Sequence, residues 1–332
     1  MHKFLIEMLE CPRCHGELAW DITQALGDRV EFAQINCHLC SYEYEVKHGV
    51  GQFLTPDLPS EDLWEQVDSQ LIQYLRQNPQ IEKALMEVPL DTLSPADQFF
   101  RGLVLEEKGE YGQAKITFDL ANKGIYTADY LACSDNMINM TIDRLKNNHE
   151  PVVDLASGKG MLVERMAQDL TRYIVGTDIS PQVLLGNRRH FEYFDLYDKV
   201  SFLAFDARRT PFKNGAVTTL TTYQGLPNIR EPGYLLQELR RIVSGSFLGI
   251  TLFFQEDNQE NNSMIEKIGL SNLIYRRSAF ESFARAGWEV DTIKSCIGKA
   301  LPTPVGVVIE GAGIDAIPVT ETQIEWDLLL AV

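Results

Sequence analysis

The sequence predicts an α/β protein whose main part is a doubly wound parallel sheet, preceded by a small cysteine-containing module and a helical bridge. From about residue 150 onward, short apolar strands alternate with helical segments, the pattern of a parallel sheet. Two identical C-x2-C pairs occur within the first 40 residues. Between these regions, apolar residues recur at helical spacing and prolines separate the runs. The predicted domain boundaries are 1–58, 59–149 and 150–332.

The composition is that of a globular protein with a strongly acidic balance. The chain has 332 residues, with 30 Lys and Arg against 47 Asp and Glu and a net charge of −17. This balance argues against a protein whose whole surface follows a phosphate backbone, because such a surface needs a basic stripe. Residues 1–10 lack a signal-peptide core, and the longest apolar stretch, 247–254, is too short to cross a bilayer. We therefore expect a cytoplasmic protein without a membrane partner.

The first module carries four of the six cysteines, in a pattern that predicts a structural metal site. The candidate ligands are Cys11, Cys14, Cys37 and Cys40. Two C-x2-C turns aim four thiolates at one point, which suits tetrahedral Zn²⁺. A redox C-x-x-C is the alternative, but such a motif is expected once and beside a βαβ unit. A four-cysteine site is closed, so the zinc is expected to hold the fold rather than to act on a substrate.

The sequence of this module resembles that of a known family. A leucine-containing lead at 5–9, the CPRC and CHLC knuckles and the run 44–54 are similar to the Trm112-like zinc ribbons. In that family the ribbon often serves as a partner, or a fused accessory, of methyltransferases. The resemblance therefore implies a zinc ribbon at 1–58 and a possible protein partner that binds through it.

The middle of the chain predicts a helical bridge. A linker is indicated by Pro56, Pro59 and Ser60. Helices are predicted at 61–76, after Ser94-Pro95, and at 129–146. We expect this bridge to act in part as a lid, with three aromatic residues near the mouth of a pocket. These residues are Phe118, Tyr126 and Tyr130.

The last region places acids and glycines where strands end. A buried strand at 151–155 enters a glycine-containing turn, and further strands are predicted at 174–178, 200–205, 217–222 and 247–254. Two late strands, at 289–297 and 305–310, are expected to form an antiparallel edge hairpin. Ligands bind at the carboxyl ends of strands in such sheets, which makes these acids and glycines the candidate site.

The segment 152–160 has the form V-x-D-x-A-x-G-x-G and is followed by an acid 24 residues after Asp154. A dinucleotide fold is the alternative, but it needs G-x-G-x-x-G, and Val163 stands at the last position. The pattern resembles the class I S-adenosylmethionine-dependent methyltransferases, with a type 11-like domain. The resemblance implies a Rossmann-like sheet of seven strands, S-adenosylmethionine as cofactor and methyl transfer as the reaction.

The resemblance also assigns the amino-acid end of the cofactor to the glycine turn. Gly158 and Gly160, with Ala156 and Ser157 beside them, are expected to let the backbone pass close to it. Ala156 replaces the usual first glycine, which is tolerable if its φ is negative. Asp154 is expected to orient the methionine ammonium.

The adenosine end is assigned to the next two strands. Asp178 is expected to accept from both ribose hydroxyls, with Ile179 against the adenine. Asp206 is expected to take the adenine amino group, with the N–H of Ala207 beside it. Tyr223, after the fourth strand, is expected to contact the cofactor as well.

The sequence does not fix the methyl acceptor, because proximity supplies most of the rate of this displacement. The segment 222–228 departs from the motif of DNA amine methylases. A C5-pyrimidine enzyme needs a nucleophilic cysteine, whereas Cys133 and Cys296 are expected to be buried apolar residues. The catalytic residue is unknown, and the candidates are Tyr223, Glu256 and Asp257.

Three functions remain open at this point. A methyltransferase acting on a small molecule is favoured because of the acidic balance. An rRNA or tRNA base methyltransferase is the first alternative, because a ribbon ahead of a methyltransferase is similar to the bacterial 23S rRNA guanine-N1 methyltransferases. A non-catalytic scaffold that binds a partner through the ribbon is the second. The oligomeric state is left open.

Overall fold

The architecture is one continuous eleven-stranded sheet with helices on both faces. The computed structural model describes residues 1–58 and 63–332, with the backbone alone for 63–69. Part of the predicted linker, Pro59 and Ser60, lies outside the described residues, as do positions 61 and 62 of the predicted helix 61–76. The strands are β1 (Leu18–Leu26), β2 (Arg29–Cys37), β3 (Glu43–Lys47), β4 (Val50–Gln52), β5 (Val152–Leu155), β6 (Ile174–Asp178), β7 (Val200–Ala204), β8 (Val217–Tyr223), β9 (Val243–Phe253), β10 (Val290–Ala300) and β11 (Thr322–Ala331).

The helices surround this sheet and also form the bridge. They are α1 (Leu5–Met8), α2 (Leu63–Gln77), α3 (Pro79–Glu87), α4 (Pro95–Glu107), α5 (Tyr111–Ile125), α6 (Ala128–Leu145), α7 (Met161–Asp169), α8 (Pro181–Tyr193), α9 (Pro232–Ile242), α10 (Gln259–Ile268) and α11 (Arg276–Arg285). One face of the sheet packs against α6, α7 and α8, and the other packs against α1, α9 and α11. Of the helices in the described part of the chain, none has the length and apolar character that a membrane span requires.

Seven strands form the predicted doubly wound sheet, in the order β7-β6-β5-β8-β9-β11-β10. The first five are parallel, and β11 and β10 are antiparallel. From β5 the chain moves outward through β6 to β7, and it then returns to β8 on the other side. The sheet therefore has a topological switch point between β5 and β8, where open α/β sheets bind their ligands. The prediction of a Rossmann-like sheet is confirmed.

The cysteine-containing module extends this sheet at its edge. Strands β1 to β4 form an antiparallel meander, and β4 then pairs in parallel with β7, with Gly51 opposite Leu203. A Cβ atom on Gly51 would lie 2.7 Å from the Leu203 side chain, so glycine allows the close approach. The outer strand of the parallel sheet is thereby paired within the same chain. The predicted boundary at 58/59 stays a prediction, because it falls beside residues outside the described part.

Charged side chains fasten the module to the rest of the protein. Arg29 donates from Nη2 to the Val200 carbonyl oxygen at 2.9 Å, and its guanidinium carbon lies 3.8 Å from the centre of the Tyr197 ring. Arg188 of α8 pairs with Glu31 at 2.6 Å. Arg29, Glu31 and Tyr197 are buried, and Arg188 is half-buried. The contacts therefore act where water screens them little.

The predicted strand at 305–310 is wrong. The second strand of the edge hairpin is β11, and residues 301–321 form a long loop in which Val305 makes only an isolated bridge to Gly313. The N–H groups of 307–309 instead donate to the carboxylate of the buried Asp97 on α4, at 2.8, 3.0 and 3.1 Å. A side-chain acceptor thus replaces a neighbouring strand, and it docks the loop on the bridge.

The expectation for the last two cysteines is confirmed for the burial of Cys133 and is wrong for two separate thiols. Cys133 of α6 and Cys296 of β10 form a disulfide, with a Cα–Cα distance of 5.6 Å and a separation of 163 residues. The pair joins the bridge to the edge of the sheet, with Cys133 in the core and Cys296 half-buried beside it. The distance in sequence explains the error, because nothing local indicates that these two positions meet.

The Asp97 contact yields a prediction about stability. Burial alone would raise the pKa of Asp97, but the Ser94 hydroxyl and the N–H groups of 307–309 outweigh it and hold the pKa below its usual range. The carboxylate therefore stabilises the fold above the unfolded pKa of about 3.9, and this contribution is lost as the pH falls through the lower folded value. Asp97→Ala leaves three donors without an acceptor and should cost about 3 kcal/mol at neutral pH.

Urea denaturation at several pH values measures this effect. Asp119→Asn is the matched control, because Asp119 is exposed on the neighbouring helix α5 and should change stability by less than about 0.5 kcal/mol. The difference between wild type and Asp97→Ala should shrink below about pH 4. Equal stability of the two proteins at pH 7 would contradict the assignment.

Candidate active site

The switch point brings together the ends of β5 and β8. Thr221 of β8 donates its hydroxyl to Oδ1 of Asp154 on β5 at 2.7 Å, and both side chains are buried. Burial raises the pKa of Asp154 to about 6, although the hydroxyls of Thr221 and Ser157 oppose the shift. The described residues thus place a partly protonated carboxyl group at the centre of the sheet.

The glycine turn that follows β5 adopts left-handed backbone angles at three positions. The φ angles are +51° at Ala156, +50° at Gly158 and +79° at Gly160. The condition of a negative φ at Ala156 is therefore not met, and the left-handed conformation costs an alanine roughly 1–2 kcal/mol. Gly225 leaves room for the methyl group, because a Cβ atom there would lie 2.7 Å from Cβ of Ala156. The tight turn requires this conformation whichever residue occupies it.

Ser157 ties the ends of two strands together. Its hydroxyl donates to the carbonyl oxygen of Asp154 at 3.1 Å and accepts from the N–H of Thr177 on β6 at 3.0 Å. Its own N–H donates to the Thr177 carbonyl oxygen at 2.7 Å. Ser157 is therefore engaged in holding the turn against the neighbouring strand.

Asp178, at the end of β6, faces the same turn. Its Oδ2 accepts from the N–H of Gly158 at 2.9 Å, and Oδ1 accepts from the N–H of Ser180 at 3.2 Å. Ile179 follows and is half-buried. Sequence reasoning missed Asn187 of α8, whose buried amide donates to the Gly158 carbonyl oxygen at 2.7 Å. An asparagine inside a helix carries no signal of such a role.

Asp206 and Ala207 follow β7, beside Asp178. The ends of the two strands are linked, because the N–H of Phe205 donates to the Asp178 carbonyl oxygen at 3.0 Å. Asp206 is buried, and its carboxylate pairs with Arg208 at 2.6 Å. Ala207 is half-buried between the two. Sequence reasoning gave Arg208 no role.

Three tyrosines and a tryptophan form a side-chain cluster at the end of β8, and we name this cluster the tyrosine recess: Tyr126, Tyr130, Tyr223 and Trp326. Tyr126 and Tyr130 stack with ring centres 4.7 Å apart, and Tyr130 meets Trp326 edge-on at 5.0 Å. The rings of Tyr223 and Trp326 lie 6.1 Å apart. The tyrosines are half-buried, so the recess keeps contact with solvent. The predicted lid thus supplies two of its aromatic residues.

The third aromatic residue of the predicted lid lies elsewhere. Phe118 packs against Phe99 at 5.3 Å within the core of the bridge. A Cβ atom on Gly102 would lie 2.5 Å from the Phe118 ring, so the ring is tightly enclosed. The helical spacing of Phe118 therefore reflects packing between α4 and α5.

The Tyr223 hydroxyl is 2.7 Å from that of Ser134 on α6. Burial raises the pKa of Tyr223 to about 12, although the hydrogen bonds to Ser134 and Gln224 oppose the shift. The phenol is accordingly protonated at neutral pH. It is suited to orient a bound group rather than to remove a proton.

The other two catalytic candidates are not brought to the recess. Glu256 and Asp257 are exposed, and they line a surface depression of about 750 Å³ together with Phe280 and Arg276. None of the candidate cofactor residues lines this depression. Their part in catalysis stays a prediction.

The bridge also reaches the glycine turn. Lys159, between Gly158 and Gly160, lies 3.5 Å from Glu106 of α4. His190 of α8 lies 3.2 Å from Glu164 and 3.9 Å from the same Glu106. The end of α4 is thus connected by charge to the turn that the sequence assigns to the cofactor.

The four cysteines of the first module meet as predicted. The four Sγ atoms all lie within 4.8 Å of one another, with pairs 3.7 Å (Cys11 and Cys40) and 3.4 Å (Cys14 and Cys37) apart. A Cβ atom on Gly16 would lie 2.8 Å from Leu39 and close to two of the sulfurs. Glycine therefore allows the first knuckle to fold against the second.

A family model described as a methyltransferase domain matches residues 152–245, from β5 into β9. Similar solved structures include a putative methyltransferase from Bacillus halodurans, with 16% identity, 60% of this chain and 97% of that chain covered, and a TM-score of 0.47. A chain of the complex between the Haloferax volcanii Trm112 methyltransferase activator and the putative methyltransferase has 19% identity, coverage of 60% and 95%, and a TM-score of 0.41.

Geranyl diphosphate C-methyltransferase from Streptomyces coelicolor has 16% identity, coverage of 67% and 83%, and a TM-score of 0.45. Comparison with curated protein sequences gives no match. The family match covers β5 to the start of β9, which is the parallel part of the seven-stranded sheet. Residues 152–245 of this chain carry a methyltransferase domain.

Proposed function

We propose that the protein transfers the methyl group of S-adenosylmethionine to a small molecule bound in the tyrosine recess. The observation that carries this proposal is the position of the recess, which begins at Tyr223 where β8 ends beside the switch point. Rings that remain half-buried offer apolar faces, and their hydroxyls offer hydrogen bonds. Such a mixture is typical of sites for small ligands.

The residues at the switch point suit the cofactor. Asp178 and Asp206 offer carboxylates at adjacent strand ends for the ribose hydroxyls and the adenine amino group, with Ile179 and Ala207 beside the base. The turn from Ala156 to Gly160 offers backbone close to the methionine part, and Asp154 faces its ammonium. When bound, the cofactor supplies a methyl group on a sulfonium. The residues of the chain then act by holding acceptor and donor in line.

The charge of the chain supports a small acceptor over RNA. A protein that binds RNA neutralises phosphates with Lys and Arg, whereas this chain has a net charge of −17. The cysteine-containing module is acidic too, with four Lys and Arg against nine Asp and Glu in residues 1–58. The module therefore lacks the basic surface that would recruit a phosphate backbone.

A transfer assay tests the proposal. The protein is incubated with methyl-labelled S-adenosylmethionine and, separately, the low-molecular-weight and RNA fractions of one lysate. Label should enter the small-molecule fraction, and Tyr130→Ala should lower the rate at least about tenfold, because it removes the ring shared by Tyr126 and Trp326. Tyr234→Phe, at an exposed position on α9, is the control and should match wild type.

The outcomes separate the alternatives. Label on RNA, with none on small molecules, would establish the RNA alternative. Binding of neither S-adenosylmethionine nor S-adenosylhomocysteine in calorimetry would support the scaffold alternative. If Asp178→Ala leaves the affinity for S-adenosylhomocysteine unchanged, the assignment of the cofactor residues is wrong.

The pKa of Asp154 predicts how cofactor affinity depends on pH. Below about pH 6 the free protein holds a proton on Asp154, and this proton must leave when a ligand ammonium binds beside the carboxylate. The affinity for S-adenosylhomocysteine should therefore rise as the pH increases from 5 to 7, by up to about tenfold per unit below pH 6. Asp154→Asn should bind more weakly with a flat profile. Parallel profiles for the two proteins in calorimetry would refute the role.

The four cysteines are proposed to hold structural zinc in a Trm112-like ribbon. Four thiolates at about 2.3 Å from a tetrahedral zinc are about 3.8 Å apart, close to the 3.7 Å between the sulfurs of Cys11 and Cys40. The set offers thiolates only, which suits zinc. Because β4 already pairs with β7, the ribbon serves the catalytic domain of its own chain, and a separate partner is not needed for this contact.

Metal content tests the zinc proposal. Purified protein should hold about one equivalent of zinc, and Cys37→Ser should lose it and unfold at a lower temperature. Cys296→Ser is the matched control, because Cys296 lies outside the cluster and should leave zinc content unchanged. Less than about half an equivalent in freshly purified wild type would contradict the proposal.

A further inference from the structure

Arg208 lies between two carboxylates at the mouth of the site. Its Nη2 donates to Oδ2 of Asp206 at 2.6 Å, and its Nε donates to Oδ1 at 3.0 Å. On its other side, Nη1 donates to Glu231 at 2.7 Å. The side chain is only 10% exposed, so this arrangement is enclosed rather than a loose surface pair.

We propose that Arg208 is a positioning residue that orients Asp206 toward the adenine amino group of the cofactor. This inference rests on the proposed function, because it assumes that adenine binds beside Asp206. The nearest other arginine, Arg209, is directed elsewhere and pairs with Asp57 at 2.7 Å. The two adjacent arginines therefore contact different carboxylates, and Arg208 is the one that contacts Asp206.

The hydrogen-bond count at Asp206 explains how the orientation arises. A carboxylate has about four acceptor positions. Oδ1 accepts from both the backbone N–H and Nε of Arg208, at 2.8 and 3.0 Å, and Oδ2 accepts from Nη2, with Nε also 3.3 Å away. The two-point contact fixes the plane of the carboxylate. Because Nε carries a single hydrogen and lies closer to Oδ1, it makes one hydrogen bond rather than two, and Oδ2 keeps one acceptor position whose direction Arg208 sets.

Glu231 holds the guanidinium from outside. It precedes α9 and has a φ of +57°, and the following Pro232 limits the conformations of its backbone. Arg208 therefore cannot rotate away from Asp206 without losing a second charged hydrogen bond. The pair Arg208–Glu231 connects the start of α9 to the adenine position.

A fixed acceptor discriminates between bases. The adenine amino group donates to it, whereas the carbonyl oxygen that replaces this group in hypoxanthine is repelled by a carboxylate. If Arg208 sets the direction, its removal frees Asp206 to turn, and the two bases become less distinct. A merely structural role would weaken both ligands equally, so the ratio of their affinities is the informative quantity.

Calorimetry with S-adenosylhomocysteine and its deaminated analogue S-inosylhomocysteine tests the inference in the full chain. Wild type should prefer the adenosyl ligand by at least about tenfold, as expected for one charged hydrogen bond. Arg208→Ala should reduce the preference to below about threefold, and Arg208→Lys should retain part of it because one donor remains. Asp206→Asn should lose it, and adding Arg208→Ala to that variant should change nothing further.

Arg209→Ala is the matched control and should keep the wild-type preference. The inference is overturned if Arg208→Ala leaves the ratio unchanged or weakens both ligands by the same factor. It is overturned also if wild type binds both ligands equally. If wild type binds neither ligand, the proposed cofactor use itself fails, which is a distinct result.

Discussion

Strands β5 and β8 lie side by side while the chain leaves them in opposite directions, and this divergence opens the space in which the site is built. The turns after the two strands therefore lie at the same edge of the sheet. Asp154 and Thr221 join the strands across it, and Gly225 gives Ala156 the room its left-handed turn needs. Any change that closes this space would disturb both the glycine turn and the tyrosine recess.

The ribbon depends on the same sheet from its outer edge. An unpaired parallel strand such as β7 exposes a row of backbone donors and acceptors that invites pairing with other chains. Pairing with β4 satisfies that edge, and Arg29 and Arg188 secure the contact with charged hydrogen bonds. Since β7 leads directly into Asp206, the cysteine-containing module supports the strand that presents the residue proposed for the adenine amino group. The proposed zinc would therefore act on catalysis through the position of this strand and not through chemistry at the metal.

Sequence patterns predict the features that neighbouring residues determine and miss those that depend on contacts between residues far apart in the sequence. The strands, the glycine turn and the cysteine knuckles follow from short patterns, and their placement agrees with prediction. The φ of Ala156 is missed because a motif specifies residue types and not the angle the turn imposes. The Cys133–Cys296 disulfide joins positions 163 residues apart. The segment 305–310 has the composition of a strand, but Asp97, some 210 residues earlier, takes its backbone donors.

The residues assigned to the cofactor and those of the tyrosine recess come from different parts of the chain. Every residue assigned to the cofactor lies within 152–245, the range that the family model matches. The recess draws Tyr126 and Tyr130 from the bridge and Trp326 from β11, and these lie outside that range. The loop 301–321 and the bridge are held together by Asp97, and α6 is held to β10 by the disulfide. The proposed acceptor site is therefore assembled by long-range contacts between segments that the shared domain does not contain. The residues proposed for the methyl donor therefore lie in the shared domain, whereas most of those proposed for the acceptor lie outside it.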